Sequence, residues 1–197
     1  MYDKLNITEN HLNILELFTQ GFDKEYYIRE VQKLLKISPR TAQLILEDLE
    51  KKAVLESTTK GKIKLYKIKQ TAEAREYITF TEIYKRINFM EKSLEIREII
   101  DRLAPKINGI GFIFGSYVKG IEKKDSDLDI FIAGTYDKKE FERLSNLYDL
   151  KLDIKNYPLS LFKRKINEDI LIREVLDNHV MLCGSEELIN MIIKPKF

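Results

Sequence analysis

The sequence has one cysteine, Cys183, and two histidines, His11 and His179. A lone thiol cannot close a disulfide within the chain, which fits a reducing cytosol. So few soft ligands argue against a structural zinc site. No apolar run approaches the roughly 20 residues that cross a bilayer, so no membrane partner is expected. The start, MYDKLNITEN, lacks a basic stretch leading into an apolar core, so no signal peptide is expected and a cytoplasmic location is. Charge of one sign is not in excess either. The net charge is +2, and the total therefore says little about partners, so the distribution must. What is present describes an ordinary globular chain: 197 residues, 44% hydrophobic and 34% charged, enough for one large domain or two small ones. No internal repeat or low-complexity segment interrupts it.

From about Thr8 to Lys69 the pattern predicts three helices and a hairpin. NHLNILELFTQ ends at Gly21. EYYIREVQKLLK repeats Ile28, Val31, Leu34 and Leu35 at helical spacing. The third helix is SPRTAQLILEDLEKKAVL, with Ser38 as N-cap and Pro39 at the first position, where a missing N–H costs nothing. VLES and IKLYKIK then flank a turn at Gly61. This order resembles the winged helix-turn-helix domains of bacterial and archaeal regulators. The resemblance implies a third helix in the major groove and a hairpin wing along the backbone of DNA. Arg40, Thr41 and Gln43 would then face bases, and Lys60, Lys62 and Lys64 phosphates, with Lys67 and Lys69 further along. Ile63 and Leu65 are expected to point inward between outward lysines. Glu47, Asp48 and Glu50 work against phosphate contact, and a lysine-rich hairpin also serves simply as a protected edge.

Thr71 to about Leu103 reads as mostly helical, with Ile83, Ile87, Met90 and Leu94 at four-three-four spacing. Arg97 interrupts the heptad, so a long coiled coil is not supported. The stripe is expected either to pack on the protein's own core or to join two copies as a homodimer. Pro105 closes this linker. Beyond it, strands alternate with helices: NGIGFIF, DLDIFIAG and LKLDIKNYPL as strands, then helices, a short strand HVMLC and a last helix SEELINMII.

The chemistry concentrates in GSYVKGIEKKDSDLDIFI. Side chains alternate across a strand, so Asp127 and Asp129 share a face while Leu128 and Ile130 take the other. Two neighbouring carboxylates repel each other unless a cation lies between them. A hard, all-oxygen pair suits Mg²⁺, or Mn²⁺ in its place. Gly115 permits close approach of the backbone to a ligand, and Ser116 opens a short helix whose N–H groups can meet phosphates. A third carboxylate, Asp153 on LKLDIK, would complete a two-metal arrangement, and Asp149 has the same parity. Lys123 and Lys124 read as loop charges, Cys183 as a small apolar residue, and His179 as structural. Tyr148 and Tyr157 flank the third strand and suit either core packing or stacking on a base.

GS, ten residues, DLD and a later strand aspartate together resemble the polymerase-beta-type nucleotidyltransferase superfamily, over roughly residues 93–197. The chain is most similar to its minimal nucleotidyltransferase branch. The resemblance implies that Gly115, Ser116 and Lys119 grip an NTP, with ATP the expected nucleotide. It implies that Asp127, Asp129 and Asp153 bind metal, and that Asp153 helps to activate an acceptor hydroxyl. Minimal members often carry arginines after the Gly-Ser, where this chain has Tyr117, Val118 and Lys119. The expected whole is a two-domain α+β chain. A winged helix-turn-helix occupies 1–70, a linker helix 71–104, and a nucleotidyltransferase domain with a short mixed sheet flanked by helices 105–197. Its expected activity is NMP transfer coupled to DNA binding. Two alternatives stand beside it: a transcription regulator whose transferase domain senses nucleotide or is inactive, and an antitoxin that nucleotidylates a HEPN-type toxin as protein acceptor.

Overall fold

The structure is a computed structural model that describes residues 6–123 and 125–195. Lys124 and the first five residues, on which two of the expectations above fall, lie outside them. The chain divides into two compact units, Met1–Thr81 with Ile193–Phe197, and Glu82–Ile192. No helix among the described residues is long and apolar enough to cross a membrane.

The first unit runs α1 (Glu9–Thr19), β1 (Tyr26–Tyr27), α2 (Ile28–Leu35), α3 (Pro39–Lys51), β2 (Leu55–Lys60) and β3 (Ile63–Ile68). Ile14, Leu15 and Phe18 of α1, Val31 of α2 and Leu46 and Leu49 of α3 are fully buried with Leu55 and Tyr66 of the hairpin. The start of α3 is fixed as its sequence predicts. Ser38 Oγ accepts the Thr41 N–H at 3.0 Å, ahead of Pro39. The second helix begins later than its pattern suggests, because Tyr26 and Tyr27 leave it to pair antiparallel with Tyr66 and Leu65. That pairing makes a three-stranded sheet, in the order β1-β3-β2.

The hairpin also corrects the expected orientation of its lysines. Tyr66 and Ile68 are the inward positions of β3, and Ile63 is 47% exposed. With a period of two, Lys64 shares the inward parity of Tyr66, while Ile63 and Leu65 turn the other way. The large Tyr66 ring sets this choice, since its burial outweighs that of Ile63. Lys64 lies over that ring at 5.0 Å from its centre.

The helical stretch after the hairpin is two helices, α4 (Ala72–Met90) and α5 (Leu94–Leu103), with Ser93 capping the second. The stripe named from spacing is not the buried one. Ile87 is 48% and Leu94 75% exposed, whereas Ala74, Ile78, Thr81, Glu82, Lys85 and Phe89 are buried.

In the second unit, α5 leads into β4 (Ile107–Phe114), α6 (Ser116–Lys119), β5 (Leu128–Tyr136), α7 (Lys138–Tyr148), β6 (Leu152–Tyr157), α8 (Leu159–Lys165), α9 (Ile170–Asp177), β7 (Val180–Cys183) and α10 (Ser185–Ile192). The sheet has the order β6-β5-β4-β7. It is mixed: β4 is antiparallel to β5 and β7, and β5 is parallel to β6. Leu128, Ile130 and Ile132 form one face with Ile96, Ile99, Ile100 and Leu103 of α5 and Phe141 and Leu144 of α7. On the other face Phe131 meets Phe112, Tyr157 and Phe162 of α8 at centroid distances of 5.2–6.0 Å. The helices thus cover both sides of the sheet, and the end of β5 that carries Asp127 and Asp129 is left at the edge of this packing. Asp127 keeps 34% side-chain exposure there.

Within this core lies a buried charged group. Glu82 Oε1 accepts from Lys85 Nζ at 2.9 Å, and its Oε2 lies 3.2 Å from His179 Nε2. His179 Nδ1 is 2.9 Å from the Leu176 carbonyl. Burial opposes the Glu82 charge, but Lys85 and His179 outweigh it and bring its carboxyl down to about 2. His179 also packs edge-on to Phe112 and is 2% exposed, in keeping with its structural reading.

Candidate active site

Gly115, between β4 and α6, has φ 75° and ψ −146°, a conformation that only glycine adopts readily. It is also where two parts of the site touch. A Cβ built on Gly115 would fall 2.0 Å from Asp129 Oδ2. The nearby Ser116 backbone N–H favours the charged form of Asp129. Gly115 is therefore required less for a turn than for the carboxylate pressed against it.

The parallel register of β5 and β6 sets the remaining side chains. Leu128 is opposite Leu152, Asp129 opposite Asp153, and Phe131 opposite Lys155. Asp129 and Asp153 thus face the same way as neighbours, with Asp127 two residues before Asp129 on that side. Asp149 is the C-cap of α7, in left-handed conformation at φ 48°, outside β6.

Electrostatics follow from this crowding. Burial, then Asp153, then Asp127 push the Asp129 carboxyl upward, and Lys155 and the Ser116 N–H only partly offset them. The outer two carboxylates are neutralised by lysines of β6 and its approach. Lys151 Nζ lies 2.6 Å from Asp127 Oδ2, and Lys155 Nζ 3.1 Å from Asp153 Oδ1. Neither lysine was among the residues expected at the site, yet the signal was present. Lys151, Asp153 and Lys155 alternate in KLDIK and so share one face.

Among the described residues, no group of three or more His, Cys, Asp or Glu side chains is drawn together tightly enough to hold a metal ion. The donor set nevertheless has the chemistry of a hard-cation site: carboxylate oxygens only, with mutual repulsion that raises the central one. A divalent ion at Asp127 would take the place now held by an ammonium.

The two residues directly after Gly-Ser, Tyr117 and Val118, pack against the α5–α7 side of the core. The Tyr117 hydroxyl donates to the Ser126 carbonyl at 3.3 Å. This bond draws α6 toward the loop that delivers Asp127. Burial pushes the Tyr117 phenol upward, with Glu95, Glu122 and Asp127 adding to it. Lys119 is exposed at the end of α6. Tyr157 belongs to the aromatic core, while the Tyr148 hydroxyl donates to Glu98 at 2.9 Å on the surface. Burial pushes the Cys183 thiol upward, as for a packing residue rather than a nucleophile.

The residues expected to meet DNA divide differently. Arg40 and Lys62 are exposed. Thr41 is tied to Ser38, and Gln43 Nε2 donates to Glu47 at 2.9 Å. Lys60 pairs with Glu25 at 3.0 Å, Lys64 with Glu50 at 2.6 Å, and Lys67 with Glu56 at 3.3 Å. Ser57 Oγ also donates to Glu50. Burial raises the Glu50 carboxyl, but the bonds from Lys64 and Ser57 outweigh it and leave the net shift downward.

Residues 94–188 match the family model described as polymerase beta, nucleotidyltransferase, a segment just short of half the chain. No curated protein matches the sequence significantly. Two solved structures are similar to it. A crystal structure of a toxin–antitoxin with AMP-PNP shares 25% identity over 47% of this chain and 78% of that one, with a TM-score of 0.34. TrmBL2, an archaeal chromatin protein, shares 14% identity over 86% of this chain and 70% of that one, with a TM-score of 0.30. Both scores are too low to carry a structural argument.

Proposed function

We propose that the second unit is a metal-dependent nucleotidyltransferase that moves an NMP group from an NTP, ATP being the expected nucleotide, to an acceptor hydroxyl. The observation that supports this most strongly is the contact of Gly115 with Asp129, whose carboxylate stands beside Asp153 and two residues from Asp127. It lies inside the segment that matches the nucleotidyltransferase model. Polyphosphate and acid-bound metal need to meet at one point, and a glycine turn pressed on an aspartate provides that point.

In this reading Asp127 and Asp129 would hold the divalent ion, Mg²⁺ or Mn²⁺, with Asp153 completing the set. When bound, the ion supplies charge neutralisation at the phosphates. Ser116 and Lys119 bind the triphosphate. The acceptor oxygen forms a bond to the α-phosphorus as the bond to the bridging oxygen of pyrophosphate breaks. Asp153 takes the hydroxyl proton. Catalysis by this chain is positioning and charge complementarity, with no covalent enzyme intermediate.

The first unit is read as a winged helix-turn-helix that meets DNA through Arg40 and the turn of the hairpin at Lys62. Three of its other lysines are already paired to acids, which lowers the phosphate contact expected of them. A second reading has its own support. Lysines on Asp127 and Asp153 suit a domain that senses nucleotide without transferring it, in a DNA-binding regulator.

One experiment separates the two. The protein is incubated with ATP radiolabelled on the α-phosphorus, Mn²⁺ and a cell lysate, and is titrated in parallel with duplex DNA at two salt concentrations. The transferase reading expects label in macromolecules, abolished in the Asp127→Asn, Asp129→Asn double variant. Equal labelling by wild type and variant contradicts it. Salt-sensitive DNA binding with no labelling favours the regulator.

A further inference from the structure

Resting on the transferase reading, one side chain of the site has a second assignment. Lys151 ends in an ammonium 2.6 Å from Asp127 Oδ2. The lysine side chain is 76% exposed, and Asp127 only 34%. Its position is fixed by the sheet, since Leu128 pairs with Leu152 and the Leu128 N–H donates to the Lys151 carbonyl at 2.8 Å. The backbone thus locks Lys151 beside Asp127, while its four methylenes leave the charge free to travel.

A divalent ion that takes Asp127 Oδ2 removes the acceptor Lys151 now uses and repels its ammonium. Metal entering at that oxygen would displace Lys151. The displaced charge stays tethered beside Asp127, on the β6 side of β5, where the incoming ligand carried by the metal is a polyanion. We infer that Lys151 is a displaceable internal counter-ion, holding Asp127 in the metal-free protein and passing to the triphosphate when a metal-bound nucleotide arrives. One ammonium then opposes binding of metal alone and favours binding of metal with nucleotide. The site is thereby kept from loading with bare ions. Lys155 is the lesser partner in this, because it pairs with Asp153 on its own strand and lies opposite Phe131.

The test is a pair of titrations on the full chain, with Mn²⁺ alone and with Mn²⁺ plus a non-hydrolysable ATP analogue. Free Mn²⁺ is read by electron paramagnetic resonance. Lys151→Met is expected to bind Mn²⁺ alone about three- to tenfold tighter than wild type, and the Mn²⁺–nucleotide about three- to tenfold weaker. Lys151→Arg, which keeps the charge, should stay near wild type. Lys106→Met removes the same charge at the opposite end of β4 and should change neither value, which excludes a general field effect. If Lys151→Met binds bare Mn²⁺ no tighter than wild type, or if both affinities move in the same direction, the inference is overturned. The transferase reading is scored separately by Asp127→Asn. If wild type and Asp127→Asn bind Mn²⁺ alike, that reading fails and the inference with it.

Discussion

Gly115 shows how one missing side chain can define a site. At φ 75° and ψ −146° any other residue is strained, by about 1–3 kcal/mol, and a β-carbon there would overlap Asp129 Oδ2. Gly115→Ala should therefore act on the carboxylate rather than on the fold. Far-ultraviolet circular dichroism is expected to stay unchanged while affinity for Mn²⁺ with nucleotide falls at least about tenfold, through a misplaced Asp129. Unchanged affinity in a folded variant would mean that Asp129 does not need that contact. The elements were legible beforehand: an apolar strand ending at Gly-Ser, and a second strand opening at two aspartates. That Asp153 lies inside a strand was legible from its pattern, whereas Asp149 caps α7. The closeness of Gly115 to Asp129 was not legible, because it depends on how β4 and β5 bring the turn to that side chain. The lysine pairs were missed for a different reason. Alternation in KLDIK shows that the charges share a face, but only the β5–β6 register shows which aspartate each one meets.

Elements were easier to foresee than their faces. Every strand and nearly every helix of the second unit falls within a few residues of its pattern. Lys64 of the hairpin turns inward against expectation, and Ile87 and Leu94 of the stripe are exposed where packing on the core was one of two expectations. The cause is common to both. Apolar spacing identifies a buried face only when competing residues are weaker. In β3 the large Tyr66 and Ile68 take the inward parity from Ile63 and Leu65. In α4 the inward positions include Glu82 and Lys85, which no hydrophobic pattern would select, because they are buried as partners of each other and of His179. This group makes α4 acid-sensitive. The Glu82 carboxyl is lowered from 4.5 to about 2, so its contribution is complete above the ordinary value and is lost as pH falls toward the folded one. Glu82→Gln removes the buried negative charge that Lys85 and His179 face and should cost on the order of 3 kcal/mol at neutral pH in chemical denaturation. The difference from wild type should shrink as pH falls from about 5 to 2. A gap that is constant over that range would show that the Glu82 charge does not stabilise the fold.

Across the whole molecule, two units with different chemistry share one chain, and the division falls within α4, between Thr81 and Glu82. The first unit offers few unpaired cations of those expected to face DNA, chiefly Arg40 and Lys62. The second concentrates three carboxylates, two lysines and a glycine turn at one end of a mixed sheet. A net charge of +2 conceals this separation, which is why the total could not point to a partner. The transferase reading depends on a cation and a polyphosphate meeting where Gly115 touches Asp129. Crystals soaked with Mn²⁺ and a non-hydrolysable ATP analogue, measured at the manganese absorption edge, address that meeting point. The expected result is an anomalous peak between the carboxylates of Asp127 and Asp129, with the triphosphate lying against Gly115 and Ser116. A nucleotide bound elsewhere, or manganese absent from those two aspartates at saturating concentration, would contradict it.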